Sequence, residues 1–138
     1  MYNKILVTLD TTTTDRAIIE HIKELAKVMN SRVVLLHVAD GWAARTFGAN
    51  AVSPEITEDT AYLRKVQEEF QLAGIPAEAE LAYGEPGEQI VRWVKEKSCD
   101  LVAMSTHGHH FVGDLFLGSA SRLVRHTVMV PVLLLRAK

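Results

Sequence analysis

Cysteine is all but absent. Cys99 stands alone, which rules out an intrachain disulfide and a cysteine-based zinc site within one chain; it reads as a small buried thiol ahead of a strand. Basic blocks are missing too. The fifteen lysines and arginines are spread along the chain and the net charge is −2, a balance that points to neither a nucleic-acid nor an anionic-membrane surface. A small phosphate ligand stays compatible, because backbone N–H groups can hold one locally. No apolar run approaches the ~18 residues needed to span a bilayer. The opening Met1–Val7 passes straight into a strand-like run, without the charged head, apolar core and cleavage site of a signal peptide. No membrane association and a cytoplasmic location are therefore expected. Low-complexity tracts are absent, and 48% hydrophobic with 23% charged residues exclude a disordered chain. The 138 residues suit a single domain, 1–138, able to bury ~70% of the surface its unfolded form exposes.

What is present alternates. Ile5–Leu9, Val33–Val38, Leu101–Met104 and Val128–Leu135 are short apolar or β-branched runs, as expected of strands covered on both faces. Pro131 cannot donate a ladder hydrogen bond, which sends the last run to a sheet edge. Ala77–Leu81 alternates apolar with charged residues and reads as the other edge. Between them, Ile18, Ile22, Leu25, Ala26 and Met29 form one helical stripe after Thr11–Thr14 and Asp15, which read as capping residues. A second helix is predicted over residues 56–73, with Leu63, Val66 and Phe70 on one stripe and Gly74-Ile75-Pro76 as its stop. A third follows Gly84–Gly87, and a fourth starts near Gly118 and carries Leu123 and Val124. The order β-α-β-α-β-α-β-α-β predicts a three-layer α/β/α fold with a parallel sheet. The connection from Ala39 to about Glu55 exceeds the usual ~2–6 residues, and its Trp42 and Phe47 are expected to pack on the domain, with cover for a ligand or a partner as the alternative.

The densest signal is Ser105-Thr106-His107-Gly108, nine further residues, then Gly118-Ser119. Gly108 can take a positive φ, and Gly118-Ser119 opens a helix whose free N–H groups and dipole suit a phosphate. In open α/β sheets, ligands bind beyond the carboxyl ends of the strands, where the strand order reverses. The segments ending at Leu9-Asp10, His37-Val38-Ala39 and Met104-Ser105 converge there. Asp10 suits ribose hydroxyls or a turn and cap equally well, and Val38 and Met104 offer apolar contact to a base. His107, His109 and His110 lack a neighbouring glutamate or cysteine, and alternate positions of an extended segment point apart, so no metal site is expected. Asp114 reads as a solvated loop residue.

Together these segments resemble the universal stress protein family over the whole chain. Its nucleotide-binding members carry Gly-x2-Gly-x9-Gly-Ser/Thr after the fourth strand, and Gly108, the spacer and Gly118-Ser119 fit that pattern. Ile5–Asp10, Val34–Val38 and Pro131–Leu134 resemble the family's first, second and last strands. The resemblance implies a Rossmann-like, adenine nucleotide alpha hydrolase-like sheet of five parallel strands in the order 3-2-1-4-5, paired as a homodimer through the C-terminal edge strand. It also implies that Asp10 holds a ribose, that Thr8, with Leu9 beside it, Val38 and Met104 border an adenine, and that Gly108, Gly118, Ser119 and Ala120 hold phosphates. Ser105 departs from the first motif glycine. His109 stands where a basic residue is frequent, and imidazole is fully charged only below its pKa.

The expected function is ATP binding, with Mg²⁺ as a companion ion, in a dimeric regulatory or stress-response module. No residue set declares itself both for orienting a water and for stabilising leaving charge. Slow ATP hydrolysis and a nucleotide-free role through dimerisation and protein partners are the alternatives.

Overall fold

The computed structural model describes residues 1–39, 54–106 and 118–137. The elements run β1 (Lys4–Thr8), α1 (Asp15–Met29), β2 (Arg32–Ala39), α2 (Pro54–Leu72), β3 (Ala77–Tyr83), α3 (Pro86–Glu96), β4 (Leu101–Thr106), α4 (Gly118–Thr127) and β5 (Val132–Arg136). The five strands form one sheet in the order β3-β2-β1-β4-β5, and every pairing is parallel. The two edges are those that Pro131 and the alternating Ala77–Leu81 predict. β5 starts one residue after Pro131, which has no N–H to give; its carbonyl still accepts from Val102 N at 3.1 Å. β1 ends at Thr8, although Leu9 extends the ladder by donating to Leu36 O at 2.8 Å.

Side-chain parity splits the core in two. Ile5, Val7, Leu9, Val33, Leu35 and Ala103 face one side and are buried with Ile18 and Ile22 of α1 and Leu63, Val66 and Phe70 of α2. Leu6, Val34, Leu36, Val102 and Met104 face the other, against Ile90 and Val94 of α3 and Val124 of α4. The apolar stripes of α1 and α2 thus lie where their spacing puts them. Leu123 departs from its expected stripe and is 39% exposed.

The helices α1, α2 and α3 close alike. Asn30, Gly74 and Ser98 take left-handed φ values of 55°, 83° and 55°. The residue after each donates back five positions: Ser31 to Ala26 O, Ile75 to Phe70 O and Cys99 to Val94 O, at 2.9 to 3.0 Å. This closure uses up carbonyls that a helix end otherwise leaves orphaned. Cys99 is buried and unpaired with another cysteine, and burial pushes its thiol up to about 11, so it stays protonated and inert near neutral pH. Among the described residues no helix is long and apolar enough to cross a membrane.

Candidate functional site

At the carboxyl end of the sheet, strand parity decides which side chains can meet one ligand. Thr8, Val38 and Met104 continue the alternations of Leu6, of Val34 and Leu36, and of Val102. They therefore share the face packed by α3 and α4, on the neighbouring strands β1, β2 and β4. Val38 and Thr8 are partly exposed, while Met104 is 6% exposed. These three side chains thus share one face at one end of the sheet. Leu9 has the opposite parity: its side chain is buried in the core against α1 and α2. Its contribution to this end is through the backbone.

Asp10 follows β1 and is exposed. Beside it, Thr11 holds φ +62°. For a β-branched residue that is a true outlier, costing roughly 1–2 kcal/mol. The side chain that holds this turn is Asp15. Its Oδ1 accepts from Asp10 N at 2.9 Å, and its Oδ2 from Asp10 N at 3.1 Å and Thr11 N at 2.9 Å. Tyr62 Oη of α2 donates to the same Oδ2 at 2.7 Å. Asp15 is fully buried, and this donor set compensates a carboxylate that would otherwise be expensive there. Burial first, then the bond and charge of Asp15, raise the Tyr62 phenol well above its ordinary value.

The capping expectation for Thr11–Thr14 and Asp15 needs correcting here. The flank of α1 is Thr14, which makes no side-chain cap bond. Asp15, the first helical residue, reaches backwards and organises the turn that carries Asp10.

A second link joins the same turn to α2. His37 Nδ1 donates to Leu9 O at 2.7 Å, while its Nε2 stands 3.3 Å from Asp59 Oδ2. That second contact is an ion-pair distance without hydrogen-bond alignment, since Asp59 Oδ2 has no hydrogen-bond partner. Both side chains are largely buried, at 15% and 9% exposure.

Neither link was foreseen, though a signal existed. Asp15 leads the stripe Ile18, Ile22, Ala26, and Asp59 leads the stripe Leu63, Val66, Phe70 at helical spacing. His37 extends the parity of Val33 and Leu35. Each is a polar residue at a position whose pattern calls for an apolar one.

Gly118, Ser119 and Ala120 form the first turn of α4, which contains no acidic residue. The first turn of α3 differs. Glu85 caps it by accepting from Glu88 N at 2.8 Å, Pro86 removes one donor, and Glu88 adds a second negative charge. The two helix starts touch: a Cβ on Gly87 would lie 2.9 Å from Leu123 Cδ2 and 3.3 Å from the Ala120 Cα. Ser105 Oγ is buried and has no hydrogen-bond partner, an omission that costs about 1–3 kcal/mol for a buried hydroxyl. Gly108 and His109 lie outside the described residues, as do Trp42, Phe47, His107, His110 and Asp114.

Comparison with known proteins converges on one family. A family model described as the universal stress protein family matches residues 1–136. The chain is 27% identical to the universal stress protein YxiE of Bacillus subtilis, covering 99% of this chain and 100% of that one. The solved structure of MJ0577, a universal stress protein of Methanocaldococcus jannaschii, superposes with a TM-score of 0.83 at 26% identity, covering 100% and 98% of the two chains. A universal stress protein from Archaeoglobus fulgidus, solved in complex with dAMP, shares the fold with a TM-score of 0.72 at 20% identity, over 96% and 97% of the two chains.

Proposed function

The chain belongs to the universal stress protein family, and from that premise we propose that it binds an adenine nucleotide, ATP in the first place, at the carboxyl end of its sheet. The observation that carries the reading is the grouping of Thr8, Val38 and Met104 on the sheet face that α4 packs against. An adenine meets these three side chains, and the ribose hydroxyls donate to Asp10. The phosphates take the N–H groups of Gly118, Ser119 and Ala120, together with Gly108, Ser105 and His109.

The chemistry of the site fits such a group. The first turn of α4 has no carboxylate to repel an anion. Ser105 has the parity of Ala103 on β4 and so turns its hydroxyl to the α1 and α2 side of the sheet; it serves the phosphates through its backbone. Mg²⁺ would enter with the nucleotide, neutralising phosphate charge. The dAMP complex of the Archaeoglobus relative supports adenine as the base.

The protein acts as a single-domain cytoplasmic module that dimerises through β5. That strand offers Val132, Leu133, Leu134 and Leu135, all only partly covered. An open apolar edge favours pairing with a second copy. Regulation by nucleotide occupancy, rather than turnover, is the proposed activity.

Native mass spectrometry of the purified protein, alone and with ATP and Mg²⁺, tests both halves. The expected result is a dimer carrying one nucleotide per subunit. A dimer that takes up no ATP at millimolar concentration overturns the nucleotide reading and leaves dimerisation as the function. Gly118→Val should abolish ATP uptake with the fold intact; unchanged affinity would refute the phosphate assignment. Phosphate release by the wild type above that of Gly118→Val would make the protein a slow ATPase.

A further inference from the structure

Three consecutive backbone groups at the end of β1 are held by two side chains, and both side chains lead to one helix. Leu9 O accepts from His37 Nδ1, and Asp10 N and Thr11 N donate to Asp15. Behind His37 stands Asp59, and behind Asp15 stands Tyr62. Asp59 and Tyr62 are three residues apart on α2, hence on one face of it. We propose that Asp15 and His37 are positioning residues for Asp10, and that Tyr62 and Asp59 make α2 the element that sets the shape of the Asp10 turn for its ligand.

The arrangement is expensive for a merely structural joint. Asp15 is fully buried and Asp59 is 6% exposed, and buried carboxylates stabilise little unless their bonds are complete. An apolar residue in each stripe would join α1 and α2 to the sheet at less cost. What the carboxylate of Asp15 adds is a grip on Thr11, whose left-handed backbone a threonine does not adopt unaided. A turn fixed before the ligand arrives loses less freedom on binding. Helix α2 is thereby tied to the ligand end of the sheet rather than merely packed on its face.

The inference rests on the reading of Asp10 as a nucleotide ligand, and two measurements keep the two apart. The first is ATP–Mg²⁺ affinity by calorimetry. Asp15→Ala should weaken binding about tenfold, or ~1.4 kcal/mol. Asp15→Asn, which keeps one acceptor oxygen, should fall between Asp15→Ala and the wild type. Adding Thr11→Gly to Asp15→Ala should recover part of the loss, because glycine takes a positive φ untethered. The second is amide hydrogen exchange at Asp10 and Thr11. It should be slow in the wild type and fast in Asp15→Ala, with intermediate loosening in Tyr62→Phe, which keeps the ring and the fold.

Wild-type affinity in a folded Asp15→Ala overturns the proposal, as does a double variant no better than Asp15→Ala. If the wild type binds no ATP, the nucleotide reading falls and exchange alone decides the latch. Equal protection of Asp10 and Thr11 in the wild type, Asp15→Ala and Tyr62→Phe then overturns it.

Discussion

At the amino end of the sheet, the Asp100 carboxylate accepts from Asn3 N at 2.8 Å and Lys4 N at 3.0 Å. At the carboxyl end, Asp15 does the same for Asp10 N and Thr11 N. The device is identical and its surroundings are opposite. Around Asp100 the backbone is relaxed and its groups are matched. Asp100 N donates to Lys4 O, Ser31 Oγ donates to Tyr2 O, and the left-handed residues there are the helix closures Asn30, Gly74 and Ser98. At the carboxyl end a threonine is left-handed outside any helix closure, a serine hydroxyl is orphaned, and a largely buried histidine faces a carboxylate without alignment. Unrelieved strain and unpaired groups gather at the carboxyl end, on the α1 and α2 side of the sheet, and the amino end of the same sheet shows the fold without them.

Asp100→Ala is the strongest way to sharpen this contrast. It removes two charge-assisted bonds that join the starts of β1 and β4, in surroundings that are partly solvated. Stability should drop by about 1–3 kcal/mol, read as a shifted urea midpoint, with ATP–Mg²⁺ affinity unchanged. Loss of affinity on the scale expected for Asp15→Ala would erase the distinction between the ends.

The sequence was most informative where a pattern is local. Apolar runs marked four strands, the alternation of Ala77–Leu81 the fifth, helical stripes the first two helices and glycine-marked starts the last two, and Pro131 with that alternation marked the edges. The family resemblance grouped Thr8, Val38 and Met104, and the structure puts them on one face of the sheet. The links made by Asp15, Tyr62, His37 and Asp59 were illegible as contacts, because Asp15 and Tyr62 are 47 residues apart and meet only through the relative phase of two helices. The threonine run suggested capping of α1, and the side chain that bonds backbone N–H groups there is instead Asp15, reaching back to Asp10 and Thr11. The polar leaders of the two apolar stripes were visible, yet a polar residue at a helix start has so ready a local explanation that the longer-range one is hidden.

The contrast can be probed next through the contact that seats α4. A Cβ on Gly87 would overlap Leu123 Cδ2, which can swing away, and crowd the Ala120 Cα, which cannot move without its helix. Overpacking of ~1–3 kcal/mol exceeds the ~0.5–1 kcal/mol that alanine gains over glycine within a helix. Gly87→Ala should therefore destabilise by about 1 kcal/mol in urea titration. By pushing the first turn of α4, it should also weaken ATP–Mg²⁺ binding a few-fold. Unfolding and affinity should shift together, unlike in Asp100→Ala. A stabilised Gly87→Ala with wild-type affinity would show that the start of α4 does not depend on this close approach.

The smallest effect comes from Thr11→Gly in the otherwise native chain, and its sign is the informative part. Relief of the left-handed penalty is worth roughly 1–2 kcal/mol, against ~0.5–1 kcal/mol for the added freedom of glycine in the unfolded chain. The net expectation is a gain of about 0.5 kcal/mol in urea unfolding, with ATP–Mg²⁺ affinity within about twofold of the wild type because Asp15 still grips the turn. At the amino end, Ser98→Gly should gain less, because the left-handed residue there is supported by a complete helix closure through Cys99 N and Val94 O. If Thr11→Gly is the less stable of the two, the threonine side chain contributes more than its backbone costs. The carboxyl end would then hold no stored strain, and the difference between the two ends would reduce to the orphaned Ser105 hydroxyl and the misaligned His37–Asp59 pair.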